Sequence, residues 1–186
     1  QMVRDTEMMN GMDRLTGDYN DFWEGRDYLN QMKPMKAALL MAHGFNDWNV
    51  MPDHSYRISK KAIEMGIPTQ IYYHQDGHGG PPPLKMMNRW FTRYLFGIEN
   101  GVENDPKSWI VRENDTQKNP TAYEAYPNPE AKSVLLHLHP GAPENGGLHL
   151  NKNKTKTLET LIDDYNFPGA NLAKAKSSEN RLLYLT

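Results

Sequence analysis

The chain has 186 residues, of which 38% are hydrophobic and 24% charged, and its formal net charge is -2 at pH 7; a length of this order holds one domain of about 100–150 residues, or one domain and part of another. With a sequence pI of about 6.4 and dispersed Lys and Arg, it lacks the strong basic field that nucleic acid or an anionic membrane surface selects, so neither is expected as a partner. The absence of Cys excludes disulfides, thiolate metal sites and a cysteine nucleophile, and favours an intracellular location.

Residues 5 to 31 are acidic and polar, with Tyr19, Phe22, Trp23 and Tyr28 interspersed. Asp18 is expected to cap a short helix in which Tyr19, Phe22, Trp23 and Arg26 share one face. After Pro34, the run Ala37 to Ala42 ends in His43-Gly44. It is far below the roughly 20 apolar residues that span a bilayer. Its length instead fits a strand buried on both faces, as in a parallel sheet.

From Asp53 to Gly66 the pattern turns helical. Asp53 serves as the expected N-cap, Tyr56, Ala62, Ile63 and Met65 as the apolar stripe, and Gly66 as the residue beyond the C-cap. Thr69 to His74, centred on Ile71-Tyr72-Tyr73, reads as a second strand. Strand, helix, strand is the parallel βαβ unit, and its crossover is almost always right-handed. Residues 77 to 83 form a loop, and Leu84 to Phe96 a helix with Leu84, Met87, Phe91, Tyr94 and Leu95 on its apolar face, closed by Gly97.

Beyond Asn100 the character changes. Strand candidates at 109–112, 133–139 and 182–185 are separated by Pro, Gly and Asn clusters, which predicts an incomplete antiparallel β domain. The fold class expected is therefore α/β, followed by a β-rich part. The chain opens on Gln1 and closes just after Leu182-Leu183-Tyr184-Leu185, and both ends are expected to be cuts in something longer.

Two residues lie where a parallel-sheet enzyme keeps its reactive groups, in loops leaving the C-terminal ends of strands. Asp47 follows the first strand and His78 the second. A βαβ unit sets those loops side by side, so a carboxylate and an imidazole 31 positions apart can become hydrogen-bonded neighbours. In that pairing His78 takes the proton of a nucleophile, while Asp47 holds the opposite ring N–H and stabilises the imidazolium. Glycines on both sides of His78 let the backbone present the ring in a tight loop. His74 with His78, or His137 with His139, could form half of a metal site, but neither pair has a third ligand at a telling spacing.

The phrases HGFNDWNV and YYHQDGHGG, with DYNDFWEGRDY upstream, resemble the Xaa-Pro dipeptidyl-peptidase family, and His-Gly-x-x-Asp-x-x-Val is shared with the wider prolyl-oligopeptidase-like hydrolases. The resemblance implies an α/β-hydrolase domain over residues 1–106 and the start of a jelly-roll-like β domain over 107–186. It also implies a cytoplasmic, homodimeric, cofactor-free serine exopeptidase acting on proline-containing peptides, with Asp47 and His78 as the triad acid and base.

One part of that machinery is missing from the sequence. Such enzymes order their triad serine, acid, histidine, with the serine on a G-x-S-x-G elbow. No such pentapeptide occurs, and none of the 46 residues before Asp47 is a serine. The nucleophile and the oxyanion hole are thus expected in an N-terminal part outside this chain, and the chain alone is expected to be inactive. An acylase or esterase of the same fold, or a non-catalytic binding module using Trp109, Tyr123 and Tyr126, are the other readings of these residues.

Overall fold

A computed structural model describes residues 3–116 and 119–186. The chain divides into two compact units, one running to Pro129 and the other from Glu130 to Thr186.

The first unit opens with a π-helical segment, Val3–Met8, and a single turn, α1 (Met9–Gly11). α2 (Asp21–Glu24) follows. Its cap is Asn20, whose side chain accepts from the Phe22 and Trp23 amides, and not the expected Asp18. The wanted position is two residues later because the cap must be extended while its side chain reaches the N2 and N3 amides. Phe22 and Trp23 meet edge to face, and the Arg26 guanidinium lies 3.6 Å over the Phe22 ring.

β1 (Leu39–Gly44), α3 (Pro52–Glu64) and β2 (Thr69–His74) form the predicted βαβ unit, with β1 and β2 parallel in the register Leu39↔Thr69 to Gly44↔His74. All six residues of β2 are buried, whereas β1 is mostly half-buried because it is the edge of a sheet ordered β1-β2-β3-β4. α3 starts with Pro52 at its first turn and an extended Met51 as cap, so Asp53 is not the cap. Pro supplies a preset φ there, and Asp53 instead pairs with Arg57 at 2.7 Å.

α3 ends as its sequence predicts. Gly66 adopts φ 74°, its amide donates to Ile63 O at 2.9 Å, and the Ile67 amide reaches back to Ala62 O at 3.0 Å. That is the Schellman pattern, in which the residue after the glycine folds an apolar side chain onto the last turn. Ile67, Ala62 and Met32 accordingly form one buried cluster, bordered by Leu29, Met35, Leu39, Ile58 and Met65. The sheet-facing stripe of α3 is Ser55, Ser59 and Ala62; Ile63, expected on it, is exposed.

α4 (Leu84–Tyr94) also turns a different face inward from the one expected. Trp90 is its buried residue, while Leu84, Phe91 and Leu95 are exposed. The Arg89 guanidinium ties that rotation to the chain beyond the helix, binding Asp105 through two hydrogen bonds of 2.7 and 3.0 Å, and the Trp90 ring packs on Tyr94 one turn along at 4.5 Å.

β3 (Ser108–Ile110) joins β2 in parallel and pairs antiparallel with β4 (Thr121–Tyr123). The segment beginning at Lys107 therefore continues the first sheet as far as β4, and the compact unit reaches Pro129. Tyr126 packs into an aromatic cluster with Tyr73, Tyr56 and Phe45.

The second unit holds β5 (His137–His139), β6 (Gly146–His149), α5 (Gly169–Lys174) and β7 (Tyr184–Leu185). β5 and β6 are antiparallel, but β7 runs parallel to β6. The sheet is thus mixed, where an antiparallel one was expected. Glu159 ties it together: one carboxylate oxygen accepts from the Gly141 and Ala142 amides at 2.6 and 2.9 Å, the other from the Tyr184 hydroxyl at 2.8 Å.

Candidate active site

The parallel register sets His43 beside Tyr73 and Gly44 beside His74, so both strands release their loops at the same level. The loops are then stitched together. The Phe45 amide donates to His74 O at 2.7 Å, the Asn46 amide to Asp76 O at 3.3 Å, and the Asn46 side-chain amide to Gln75 O at 2.5 Å. Gly44 makes this approach possible, since a Cβ there would land on the carbonyl oxygens of Asp76 and Gly77.

Asp47 closes the first loop as a turn. Its amide donates to Gly44 O at 3.2 Å, and its Oδ1 accepts from the Asn49 and Val50 amides, both at 3.0 Å. The other oxygen, Oδ2, lies 2.9 Å from His78 Nδ1. The structure therefore brings the two sequence-predicted site residues into direct hydrogen-bond contact. The Asp47 side chain is 4% exposed and that of His78 66%, so the carboxylate is sheltered while the imidazole reaches solvent.

The Val50 amide bond is the strongest influence holding the Asp47 carboxyl low; the His78 and Asn49 hydrogen bonds add to it, burial opposes them, and the result is a pKa of about 2. The sign follows directly. A carboxyl depressed by folding contributes stability above its ordinary value near 4 and loses it as pH falls towards 2. Urea-unfolding midpoints taken from pH 5 to pH 2 are expected to fall less steeply for Asp47→Asn than for the wild type. Parallel curves would show that Asp47 is not the depressed group. Any activity lost on acidification well above pH 2 must also come from another group.

A carboxylate can only accept, so His78 Nδ1 carries the proton and Nε2 keeps its lone pair. Nε2 is then the nitrogen free to take a proton from a reacting group. Asp47, His78, His43, Gly44, Val50 and Gly80 line a depression of about 380 Å³. Gly79 and Gly80 have φ of 102° and 105°, a region open to glycine and closed to most other residues. No serine lines this depression among the described residues.

Sequence reasoning gave His43 and Ser55 no chemical role. His43 Nε2 lies 2.8 Å from Val50 O and 3.2 Å from Asp47 Oδ2, while its Nδ1 contacts Ser55 Oγ. The spacing of four residues across the turn was the available signal. As for metals, no group of three or more His, Asp or Glu side chains poised to hold an ion occurs among the described residues. His74 is fully buried and accepts the Asp76 amide at Nδ1, 3.2 Å away, and His139 donates to Asn151 O at 2.9 Å.

Residues 2–80 match the X-Pro dipeptidyl-peptidase (S15 family) sequence family. A Rhodopirellula baltica protein provisionally named a Xaa-Pro dipeptidyl-peptidase is 55% identical over 184 residues, covering 99% of this chain and 29% of that protein. A similarly named Bacillus anthracis protein is 34% identical over 188 residues, covering 96% of this chain and 30% of its own length. The Xaa-Pro dipeptidyl-peptidase of Lactobacillus delbrueckii subsp. lactis is 32% identical over 114 residues, 58% of this chain and 14% of that enzyme. The chain thus spans less than a third of each of these relatives.

Proposed function

The chain is homologous to the X-Pro dipeptidyl-peptidases of family S15, and on that premise we propose that it supplies the acid and the base of a serine exopeptidase that releases Xaa-Pro dipeptides from peptide N-termini. The observation that carries the proposal is the 2.9 Å contact between His78 Nδ1 and the sheltered Asp47 carboxylate. It leaves one imidazole nitrogen basic and accessible, as acyl transfer through a hydroxyl nucleophile requires.

In this reading His78 Nε2 accepts the proton of a serine hydroxyl as its oxygen attacks the prolyl carbonyl. The imidazolium, held by Asp47, then passes that proton to the departing amine. A water repeats the sequence on the acyl-enzyme, releasing the dipeptide and restoring the serine. The serine and the oxyanion donors belong to a part of the enzyme outside these residues. Ser55 and Ser59, the serines nearest in sequence to Asp47, are both buried on α3. The same proposal includes a cytoplasmic, homodimeric enzyme, in which these residues hold the C-terminal part of the α/β-hydrolase domain and the start of a jelly-roll-like β domain that follows it.

The test sets the full gene product beside the 186-residue chain on glycyl-prolyl p-nitroanilide and on p-nitrophenyl butyrate. The full product is expected to release nitroaniline, and the chain alone to stay at the buffer rate. Turnover by the isolated chain would defeat the assignment of the nucleophile elsewhere. Preference of the full product for the ester would defeat the substrate class.

A further inference from the structure

We infer that His43, supported by Ser55, is a positioning residue for the proposed catalysis: it holds Asp47 in the rotamer that serves His78. The inference rests on the reading of Asp47 and His78 as acid and base, and deepens it.

The hydrogen-bond roles settle the arrangement. Val50 O can only accept, so the His43 Nε2 that lies 2.8 Å from it carries a proton. Neutral His43 then has a lone pair at Nδ1, and the Ser55 hydroxyl donates to it. Ser55 is itself buried and sits on the sheet-facing side of α3. The chain from helix to site is thus Ser55 hydroxyl, His43 ring, and then Val50 O, which accepts the Nε2 proton, with Asp47 Oδ2 in electrostatic contact 3.2 Å from the same nitrogen.

Val50 is held at both ends of its backbone. Its amide donates to Asp47 Oδ1 at 3.0 Å, and its carbonyl accepts from His43. The loop 44–50 cannot open without breaking one of these bonds, and Asp47 cannot rotate without losing the Asn49 and Val50 amides. His43 lies at the end of β1 and Ser55 on α3, so two rigid elements meet behind a carboxylate that would otherwise depend on its own loop.

Ser55, His43 and Asp47 resemble a second serine-histidine-acid series, but a reacting role is excluded by burial. The His43 side chain is 9% exposed and Ser55 6%, and both nitrogens of the ring are committed. His78 alone presents an accessible imidazole to the depression. What His43 contributes is geometry, and a misplacement of about 1 Å at a reacting group can cost about 10²-fold in rate.

The test is a double-mutant cycle in the full gene product, assayed on glycyl-prolyl p-nitroanilide, with His43→Ala, His43→Gln, Asp47→Asn and the pair His43→Ala/Asp47→Asn. His43→Ala is expected to lower kcat about 10²-fold with KM within twofold. His43→Gln keeps an N–H close to the Nε2 position and is expected to recover much of that loss. In the Asp47→Asn background, His43→Ala is expected to cost nothing further, because its effect passes through the carboxylate. Urea midpoints show whether each variant is folded, and His43→Gln keeps the test decisive if the alanine variant is not.

Three results would overturn the inference while leaving the acid–base reading intact: normal kcat in both His43 variants, an undiminished loss in the Asp47→Asn background, or a loss confined to KM. Near-normal turnover of Asp47→Asn itself would overturn the acid–base reading, and this inference with it.

Discussion

Asp47→Asn in the full gene product is expected to lower kcat by about 10⁴, with KM little changed, because loss of a triad acid produces the wrong imidazole tautomer. The geometry here explains why. The Asn49 and Val50 amides both donate to Oδ1, so an asparagine must place its carbonyl oxygen at that position. Its NH2 then occupies the place of Oδ2, 2.9 Å from His78 Nδ1. A donor facing Nδ1 forces that nitrogen to accept, and the ring proton moves to Nε2. The imidazole would be in place but unable to take a proton. Steady-state rates on glycyl-prolyl p-nitroanilide check this, and a loss under tenfold would remove Asp47 from the mechanism. His78→Ala is expected to fall as far, since it removes the base outright.

Gly44→Ala is expected to damage both stability and turnover. The atoms that its Cβ would strike are the carbonyl oxygens of Asp76 and Gly77, which are backbone and cannot swing aside as a side chain can. Overpacking of this kind costs about 1–3 kcal/mol, and separating the loops is expected to lower kcat by about 10²-fold or more. Gly25→Ala is the control. Gly25 has φ -65°, and its nearest neighbour would be Asp21 O at 3.4 Å, so alanine fits without strain. Urea midpoints of the chain and kcat of the full product decide the matter; an unchanged midpoint with full turnover in Gly44→Ala would show that the loops do not need this approach.

The strand-helix-strand core was legible because its signals are local. The short run ending at Gly44, the β-branched and aromatic stretch from Thr69, and a glycine at Gly66 with φ 74° each act within a few residues. The helix caps were less legible. Asp18 and Asp53 are good cap types, yet Asn20 and Met51 hold the positions, since capping depends on the chain's entry angle as well as on residue type. α4 shows the same limit. Its apolar periodicity allowed more than one inward face, and the long-range Arg89–Asp105 pair favours the one observed. β3 likewise read as the start of a separate β part, because nothing in a short strand states which neighbour it will pair with.

The candidate site divides along the same line. Sequence by itself determined that an acid and a histidine would leave adjacent parallel strands, because the short apolar run, the helical pattern after it, the β-branched and aromatic stretch and the glycines on either side of His78 are properties of short segments. Only the tertiary structure decided that Asp47 Oδ2 stands between two imidazoles, one exposed and one enclosed. That arrangement depends on the register of β1 against β2, on how closely Gly44 lets two loops approach, and on Ser55 facing the sheet from α3. Hydrogen bonds are directional and act over about 3 Å, so they are settled only when distant segments pack.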